Sequence, residues 1–130
     1  MSEPIIDQFM TESPYTIGRD QPLSVAGALM AEHAIRHLPV LYRGRLVGVL
    51  SQRDVAVVSG LPRVDAAKIS VSEAMSEDVF TVGRRSTLRK VAAQMAEHKY
   101  GCAVVLEKER VVGVFTTVDA LEALADLLEP

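Results

Sequence analysis

The chain has 130 residues and a net charge of −3, and 48% of its residues are hydrophobic although only 5% are aromatic. This length fits one ordinary domain with an aliphatic core, and the composition argues against a disordered chain. The mildly acidic balance provides no field that would gather a polyanion, so nucleic-acid binding is not expected. The apolar runs, such as residues 46–50, are far shorter than the roughly 20 residues that span a bilayer, so no membrane segment is expected.

The single cysteine, Cys102, cannot form an internal disulfide. The first four residues lack the basic start and apolar run of a secretory signal. A reducing cytoplasm is therefore the expected location.

The chain contains an internal repeat with a spacing of 65 positions. Residues 9–54 and 74–119 align without a gap and are identical at 18 of 46 positions. A unit of roughly 60 residues buries only about 60% of its unfolded surface, so neither copy is expected to be stable alone. We expect the first copy at residues 1–60, a linker at 61–69 and the second copy at 70–130.

Both copies predict the same order of elements. A short lead-in helix, at residues 5–10 and 71–75, precedes a short β segment that ends at a glycine. A helix follows, because apolar residues then recur at helical spacing. Two apolar runs separated by the polar stretches 42–45 and 107–110 predict a hairpin, which leads into a last helix. The expected fold class is α+β, with a small three-stranded sheet and flanking helices in each half.

Each copy ends in the motif Gly-x-x-Ser/Thr-x-x-Asp, at residues 48–54 and 113–119. A carboxylate in the first turn of a helix can accept hydrogen bonds from both hydroxyls of a ribose, which makes Asp54 and Asp119 candidate ligands. The hydroxyl three residues earlier can cap the helix and donate to a phosphate, while the helix end supplies amide donors. The glycine permits close approach of the backbone to a ligand. The same residues can also be interpreted as a purely structural capping box.

These motifs resemble the tandem pair of CBS domains known as the Bateman module. The resemblance rests on Met10-Thr11, on His37-Leu38-Pro39-Val40 and on residues 48–54, and the second copy has Cys102-Ala103-Val104-Val105 in place of His-Leu-Pro-Val. It implies a stand-alone regulatory sensor that binds AMP, ADP, ATP or S-adenosylmethionine in clefts between two halves. It also implies flat homodimers, a protein effector that receives the signal, and no catalytic residues or catalytic cofactor. The ligand-binding residues predicted on this basis are Thr16, Ile17, Arg36, His37, Leu38, Pro39, Ser51, Arg53, Asp54, Thr81, Val82, Cys102, Ala103, Thr116 and Asp119.

The two copies differ in basic residues. The first carries Arg36, His37 and Arg53 where the second carries Gly101, Cys102 and Val118. We therefore expect the first half-site to hold a phosphorylated adenine nucleotide, and the second to be weaker or to favour an uncharged adenosyl thioether. The alternative is that Arg36 and Arg53 face the solvent, and that the phosphate contacts come from arginines near the first strands, Arg19, Arg84, Arg85 and Arg89. Pro39 has no N–H, which would leave a neighbouring carbonyl without its partner.

Two other functions remain open at this point. The apolar stripe Leu121, Leu124 and Leu128 together with the lead-in helices exceeds the needs of one small core, so we expect a homodimer. The chain could be a ligand-free dimerisation or interaction module that has the same fold with empty clefts. It could also be a metal or thiol switch, because His33 with His37, and His98 with Cys102, repeat a spacing of four. The first member of each pair ends a helix and the second begins a strand, however, so the side chains need not converge. An enzyme is the least supported class.

Overall fold

The structure is a computed structural model that describes residues 2–130. It divides into two compact units, one made of Tyr15–Val79 and the other of the described residues up to Pro14 together with Phe80–Pro130. The strands are β1 (Thr11–Glu12), β2 (Ile17–Gly18), β3 (His37–Tyr42), β4 (Arg45–Ser51), β5 (Thr81–Val82), β6 (Cys102–Glu107) and β7 (Arg110–Thr116). The α-helices are α1 (Leu23–His33), α2 (Gln52–Ser59), α3 (Val71–Ala74), α4 (Leu88–His98) and α5 (Thr117–Leu128).

The unit formed by Tyr15–Val79 contains a three-stranded sheet. Its strand order is β2-β3-β4, with β2 parallel to β3 and β3 antiparallel to β4. The apolar residues of α1 pack on this sheet, so that Leu23, Ala26 and Met30 are buried together with Leu38 and Leu50 of the hairpin. This confirms the helical periodicity and the hairpin predicted from the sequence.

The other unit repeats this arrangement with one additional strand. Its sheet has the order β1-β7-β6-β5, because Thr11 and Glu12 pair antiparallel with Val114 and Gly113 of β7. Its core is formed by α4 and the hairpin, and Phe115 is its largest fully buried side chain. The prediction of three strands in each half is therefore confirmed for one unit, whereas the sheet of the other unit has a fourth strand. Thr11 and Glu12 are both polar and exposed, so no apolar pattern marks β1 in the sequence.

Each unit combines the lead-in segment of one repeat with the body of the other. A 3₁₀ helix at Ile6–Gln8 precedes β1 and buries Ile6 completely, while α3 buries Val71 in the other core. In the sequence, each lead-in segment precedes its own copy. In the structure, the apolar side chain of that segment is buried in the core of the other copy. The lead-in segments are thus core elements, and the apolar excess that the sequence attributes to them is satisfied within the units.

Within residues 2–130, α5 carries five of the nine large hydrophobic side chains that are exposed. Only Ala123 of this helix is fully buried, while Val118, Leu121, Leu124, Leu127 and Leu128 are all more than half exposed. Between α4 and α5 lies an open groove of about 460 Å³, lined by residues that include Met95, Tyr100 and Leu121. No helix within residues 2–130 has the length and apolar character needed to cross a membrane.

Candidate functional site

The first Gly-x-x-Ser-x-x-Asp motif forms a helix cap whose polar groups are only partly used. Asp54 donates its backbone N–H to the hydroxyl oxygen of Ser51 at 3.0 Å, and Asp54 Oδ2 accepts the backbone N–H of Ser51 at 2.9 Å. Among the described residues, nothing donates a hydrogen bond to Asp54 Oδ1, and the Ser51 hydroxyl donates to nothing. Both side chains are half-buried. The cap therefore leaves one carboxylate oxygen and one hydroxyl proton available to a ligand.

Strand β3 begins beside this cap. His37 lies opposite Ser51 in the hairpin, and the Gln52 N–H donates to the carbonyl oxygen of Arg36 at 2.8 Å. Burial lowers the pKa of His37 from its ordinary value, with the charge of Arg36 acting in the same direction and that of Asp54 opposing it. The imidazole is therefore neutral near pH 7. Arg36, His37, Ser51 and Asp54 thus form one cluster at the start of α2.

The other residues predicted for the first half-site differ in exposure. Ile17, Leu38 and Pro39 have buried side chains, so they can offer a ligand only backbone groups or apolar contact. Thr16 is half-buried immediately before β2, and Arg53 is exposed in the first turn of α2.

Pro39 changes the pairing between the first two strands of its sheet. In the second copy the N–H of Val104, the residue that matches Pro39, donates to the carbonyl oxygen of Phe80 at 2.9 Å. Pro39 has no N–H, so the matching carbonyl of Tyr15 lacks this bond, and β2 begins one position later in its repeat than β5 does. The partner of Pro39 in β4 is Val49, which exchanges two backbone hydrogen bonds with Ser76, each at 2.9 Å. The open carbonyl predicted from the sequence is thus that of Tyr15.

The second motif forms the same cap with more of its groups engaged. Asp119 Oδ2 accepts the backbone N–H of Thr116 at 2.9 Å and the Thr116 hydroxyl at 3.2 Å. Asp119 Oδ1 accepts the hydroxyl of Thr11 at 3.2 Å. Thr11 belongs to the lead-in segment and was not among the residues predicted from sequence. Its counterpart Ser76 points its hydroxyl toward the carbonyl of Asp78 at 3.5 Å instead.

The remaining residues of the second half-site lie in β5 and at the start of β6. Cys102 lies opposite Thr116, as His37 lies opposite Ser51, and both Cys102 and Ala103 are buried. Thr81 and Val82 form β5, with Thr81 exposed and Val82 half-buried. This half-site has no basic side chain at the positions of Arg36, His37 and Arg53.

The space beside the glycine of each motif is filled by other atoms of the protein. A Cβ placed on Gly48 would lie 2.6 Å from Met75 Sδ and 2.8 Å from the Ser76 carbonyl oxygen. A Cβ on Gly113 would lie 2.5 Å from Met10 Sδ and 3.0 Å from the Thr11 carbonyl oxygen. The explanation given from the sequence, close approach of a ligand, is therefore wrong for these positions. The Met-Ser/Thr pair of a lead-in segment crosses the strand there.

The histidines do not assemble with other ligands into a metal site. His33 stacks on Tyr15 with ring centroids 3.8 Å apart, and His98 stacks on Tyr100 at 5.2 Å. Within residues 2–130, no group of three or more His, Cys, Asp or Glu side chains could hold an ion.

Burial also decides the chemistry of Cys102. It raises the pKa of the thiol to about 11, so the group is protonated at neutral pH and is a poor nucleophile. The geometry gives no support to a metal or thiol switch.

A model of the CBS domain family matches the chain twice, over residues 6–60 and 71–126. A CBS domain-containing protein of Dictyostelium discoideum is 29% identical over 97% of this chain and 94% of its own length.

Three solved structures have the same fold. The AcuB protein of Vibrio cholerae, assigned provisionally to acetoin utilization, is 31% identical, covers 99% of this chain and 100% of its own, and superposes with a TM-score of 0.88. The CBS domain pair of protein MJ0100, in complex with 5′-methylthioadenosine and S-adenosyl-L-methionine, has a TM-score of 0.87 at 23% identity, over 97% of this chain and 99% of its own. CBSX2 in complex with AMP has a TM-score of 0.83 at 20% identity, and the match covers 97% of this chain and 99% of its own. The repeat, the two small sheets and the family matches agree, and the chain belongs to the CBS domain family as a tandem pair.

Proposed function

We propose that this CBS pair is a regulatory module that binds an adenosine-containing ligand, and that its first half-site holds the ribose and phosphate of an adenine nucleotide. The observation that carries the proposal is the partly used cap at the start of α2. Asp54 keeps one oxygen without a donor while Ser51 keeps its proton, so the pair can accept from a ribose hydroxyl and donate to a phosphate.

The surroundings of this cap suit such a ligand. The N-terminus of α2 places partial positive charge and backbone N–H groups beside the motif. Arg36 and Arg53 add positive charge, and the open carbonyl of Tyr15 can accept from the amino group of an adenine. The complexes of MJ0100 with adenosyl compounds and of CBSX2 with AMP are consistent with this ligand class.

The second half-site is proposed to bind more weakly or to take an uncharged adenosyl thioether. Its carboxylate already accepts from Thr11 and from Thr116, and no arginine stands at the positions of Arg36 and Arg53. A phosphate there would find fewer donors, whereas a thioether needs none.

We further propose a homodimer formed through the α4–α5 face. The exposed leucines of α5 and the adjoining groove form an apolar surface of the kind that another chain covers. A ligand would then act by favouring one arrangement of the module, which a protein effector in the cytoplasm detects. This face also supports the alternative function, a dimerisation module with empty clefts, and we propose no catalytic activity.

Thermal unfolding with a panel of ligands tests the proposal. AMP, ATP and S-adenosylmethionine are compared with GMP, because a ligand at 100 times its Kd adds about 2.7 kcal/mol of stability. A higher midpoint with at least one adenosyl compound, and a smaller rise with GMP, is expected. An unchanged midpoint with all four at millimolar concentration would leave the dimerisation module as the better explanation. Mass spectrometry of the compound that copurifies with the protein identifies the ligand.

A further inference from the structure

Two arginines stack on one tyrosine at the hairpin end of the unit formed by Tyr15–Val79. The Cζ atom of Arg19 lies 3.5 Å from the centroid of the Tyr42 ring, and that of Arg43 lies 5.1 Å from it. The side chain of Arg19 is 39% exposed, and Arg43 is exposed at the tip of the hairpin. We name these three residues the arginine–tyrosine cluster.

The cluster is separate from the candidate nucleotide site. His37 begins β3 and Tyr42 ends it, and five residues of extended strand span about 17 Å. The cluster therefore lies at the opposite end of the sheet from Asp54 and cannot contact the same small ligand.

The second repeat uses the equivalent arginine differently. Arg84, which matches Arg19, donates to Asp7 at 2.6 Å and to Glu107 at 3.0 Å, and Glu12 lies 3.7 Å away. Glu107 stands where the first repeat has Tyr42. Arg84 is thus neutralised by three carboxylates within its own unit.

The positive charge of the arginine–tyrosine cluster is not neutralised in this way. Within the described residues, Arg19 reaches only the carboxylate of Asp20, at 3.8 Å, and Arg43 makes no ion pair. A guanidinium stacked on a ring directs its N–H donors outward in its own plane, where they match the two oxygens of a carboxylate. Together, the two guanidinium groups on this ring form a receptor for anionic side chains.

The backbone holds both arginines in place. Arg19 donates its N–H to Leu41 and accepts from the N–H of Ser72, each at 2.9 Å. Arg43 and Gly44 form the tight hairpin turn with φ of 52° and 79°. Binding therefore orders little chain beyond the arginine side chains themselves, which lowers its entropic cost.

We propose that the arginine–tyrosine cluster is a docking surface for an acidic peptide segment of a protein partner. One exposed ion pair contributes little, so a small isolated anion gains too little from this open surface. A segment with several carboxylates engages both guanidinium groups together, and its carbon atoms pack on Tyr42. The proposal does not depend on nucleotide binding at Asp54.

Fluorescence anisotropy with a fluorescein-labelled octaglutamate peptide tests the proposal on the full chain. We expect binding that weakens with added salt, and a loss of at least about tenfold in affinity in the double variant Arg19→Gln/Arg43→Gln. The matched control is Lys108→Gln, because Lys108 occupies the turn position of the other hairpin that Arg43 occupies in the first. The control should keep its affinity within about twofold. Thermal midpoints equal to that of the wild type verify that the variants are folded.

Three results would overturn the assignment. The first is no binding of octaglutamate by the wild type at low salt, and the second is an equal loss in Lys108→Gln. The third is tighter binding of an oligothymidylate or of inorganic phosphate than of the peptide, with the same dependence on Arg19 and Arg43. That result would assign the cluster to a nucleic acid or to a small anion.

Discussion

The hydroxyl of Thr11 donates a hydrogen bond to the carboxylate of Asp119 at 3.2 Å, although 108 positions separate the two residues in the chain. The matching pair in the first motif, Ser76 and Asp54, makes no such bond among the described residues. The lead-in segment thus occupies an acceptor in one motif that remains available in the other. This contact makes two similar sequence motifs chemically unequal.

Replacing Thr11 by valine should release an oxygen of Asp119. We expect the free energy of unfolding to fall by about 1 kcal/mol, since one hydrogen bond to a half-buried carboxylate is lost. We also expect the affinity of the second half-site for S-adenosylmethionine to rise by about fivefold, which calorimetry in the Asp54→Asn background would measure. Ser76→Ala in the Asp119→Asn background is the matched control and should leave affinity at Asp54 unchanged. A weaker second half-site in Thr11→Val would contradict this role of Thr11.

The glycines of the two motifs should not tolerate alanine. Gly48→Ala and Gly113→Ala would force a Cβ against a methionine sulfur and a backbone carbonyl, and such overpacking costs about 1–3 kcal/mol. Chemical denaturation measures this loss. Gly83→Ala is the control, because nothing lies within 4 Å of its added Cβ. Equal stability of all three variants would show that the lead-in segments do not pack as described.

The stability of the protein should depend on pH through His37. Burial lowers the pKa of this histidine in the folded chain, so the unfolded chain binds more protons once the pH falls below about 6.5. The stability that the neutral, buried His37 contributes is therefore fully present above that pH. It decreases as the pH is lowered toward the pKa of His37 in the folded chain. Denaturation at pH 7.5 and at pH 5.5 should show a smaller difference in His37→Gln than in the wild type.

His98→Gln is the control for loss of a histidine, and its pH dependence should stay closer to that of the wild type. If removing His37 left the pH dependence as steep as before, burial of this imidazole would not be its source. A nucleotide phosphate near His37 should favour the protonated form, so bound AMP should also reduce the difference between the two pH values.

The exposed leucines of α5 should hold two chains together. The wild type should have the mass of a dimer by light scattering at micromolar concentration, and Leu121→Glu/Leu124→Glu should have the mass of a monomer. Leu61→Glu, which changes an exposed leucine outside the helices, should remain dimeric. A monomeric wild type would exclude the proposed assembly.

Much of the fold could be predicted from the sequence, because the signals are local. The capping motifs predict helix starts that the structure places at Gln52 and Thr117. The apolar runs predict the hairpins, and the duplication predicts that both copies share one fold. The absent N–H of Pro39 even predicted an open carbonyl, though not that it belongs to Tyr15.

The long-range arrangement could not be predicted in this way. Each lead-in segment packs on the body of the other repeat, and nothing within a window of ten residues encodes that choice. The engagement of Asp119 by Thr11, and the approach of Met10 and Met75 to the motif glycines, follow from it. Sequence reasoning therefore identified the ribose-binding candidates but missed the residue that distinguishes them.

Calorimetric titration of AMP into the wild type, Asp54→Asn and Asp119→Asn compares the two carboxylates as ligands of the nucleotide. An asparagine at either position can still accept the capping N–H, so each variant should remain folded. We predict a loss of at least about tenfold in affinity, or about 1.4 kcal/mol, for Asp54→Asn and less than about threefold for Asp119→Asn. Equal losses in the two variants, or no binding by the wild type at millimolar AMP, would contradict a nucleotide site built on the first motif.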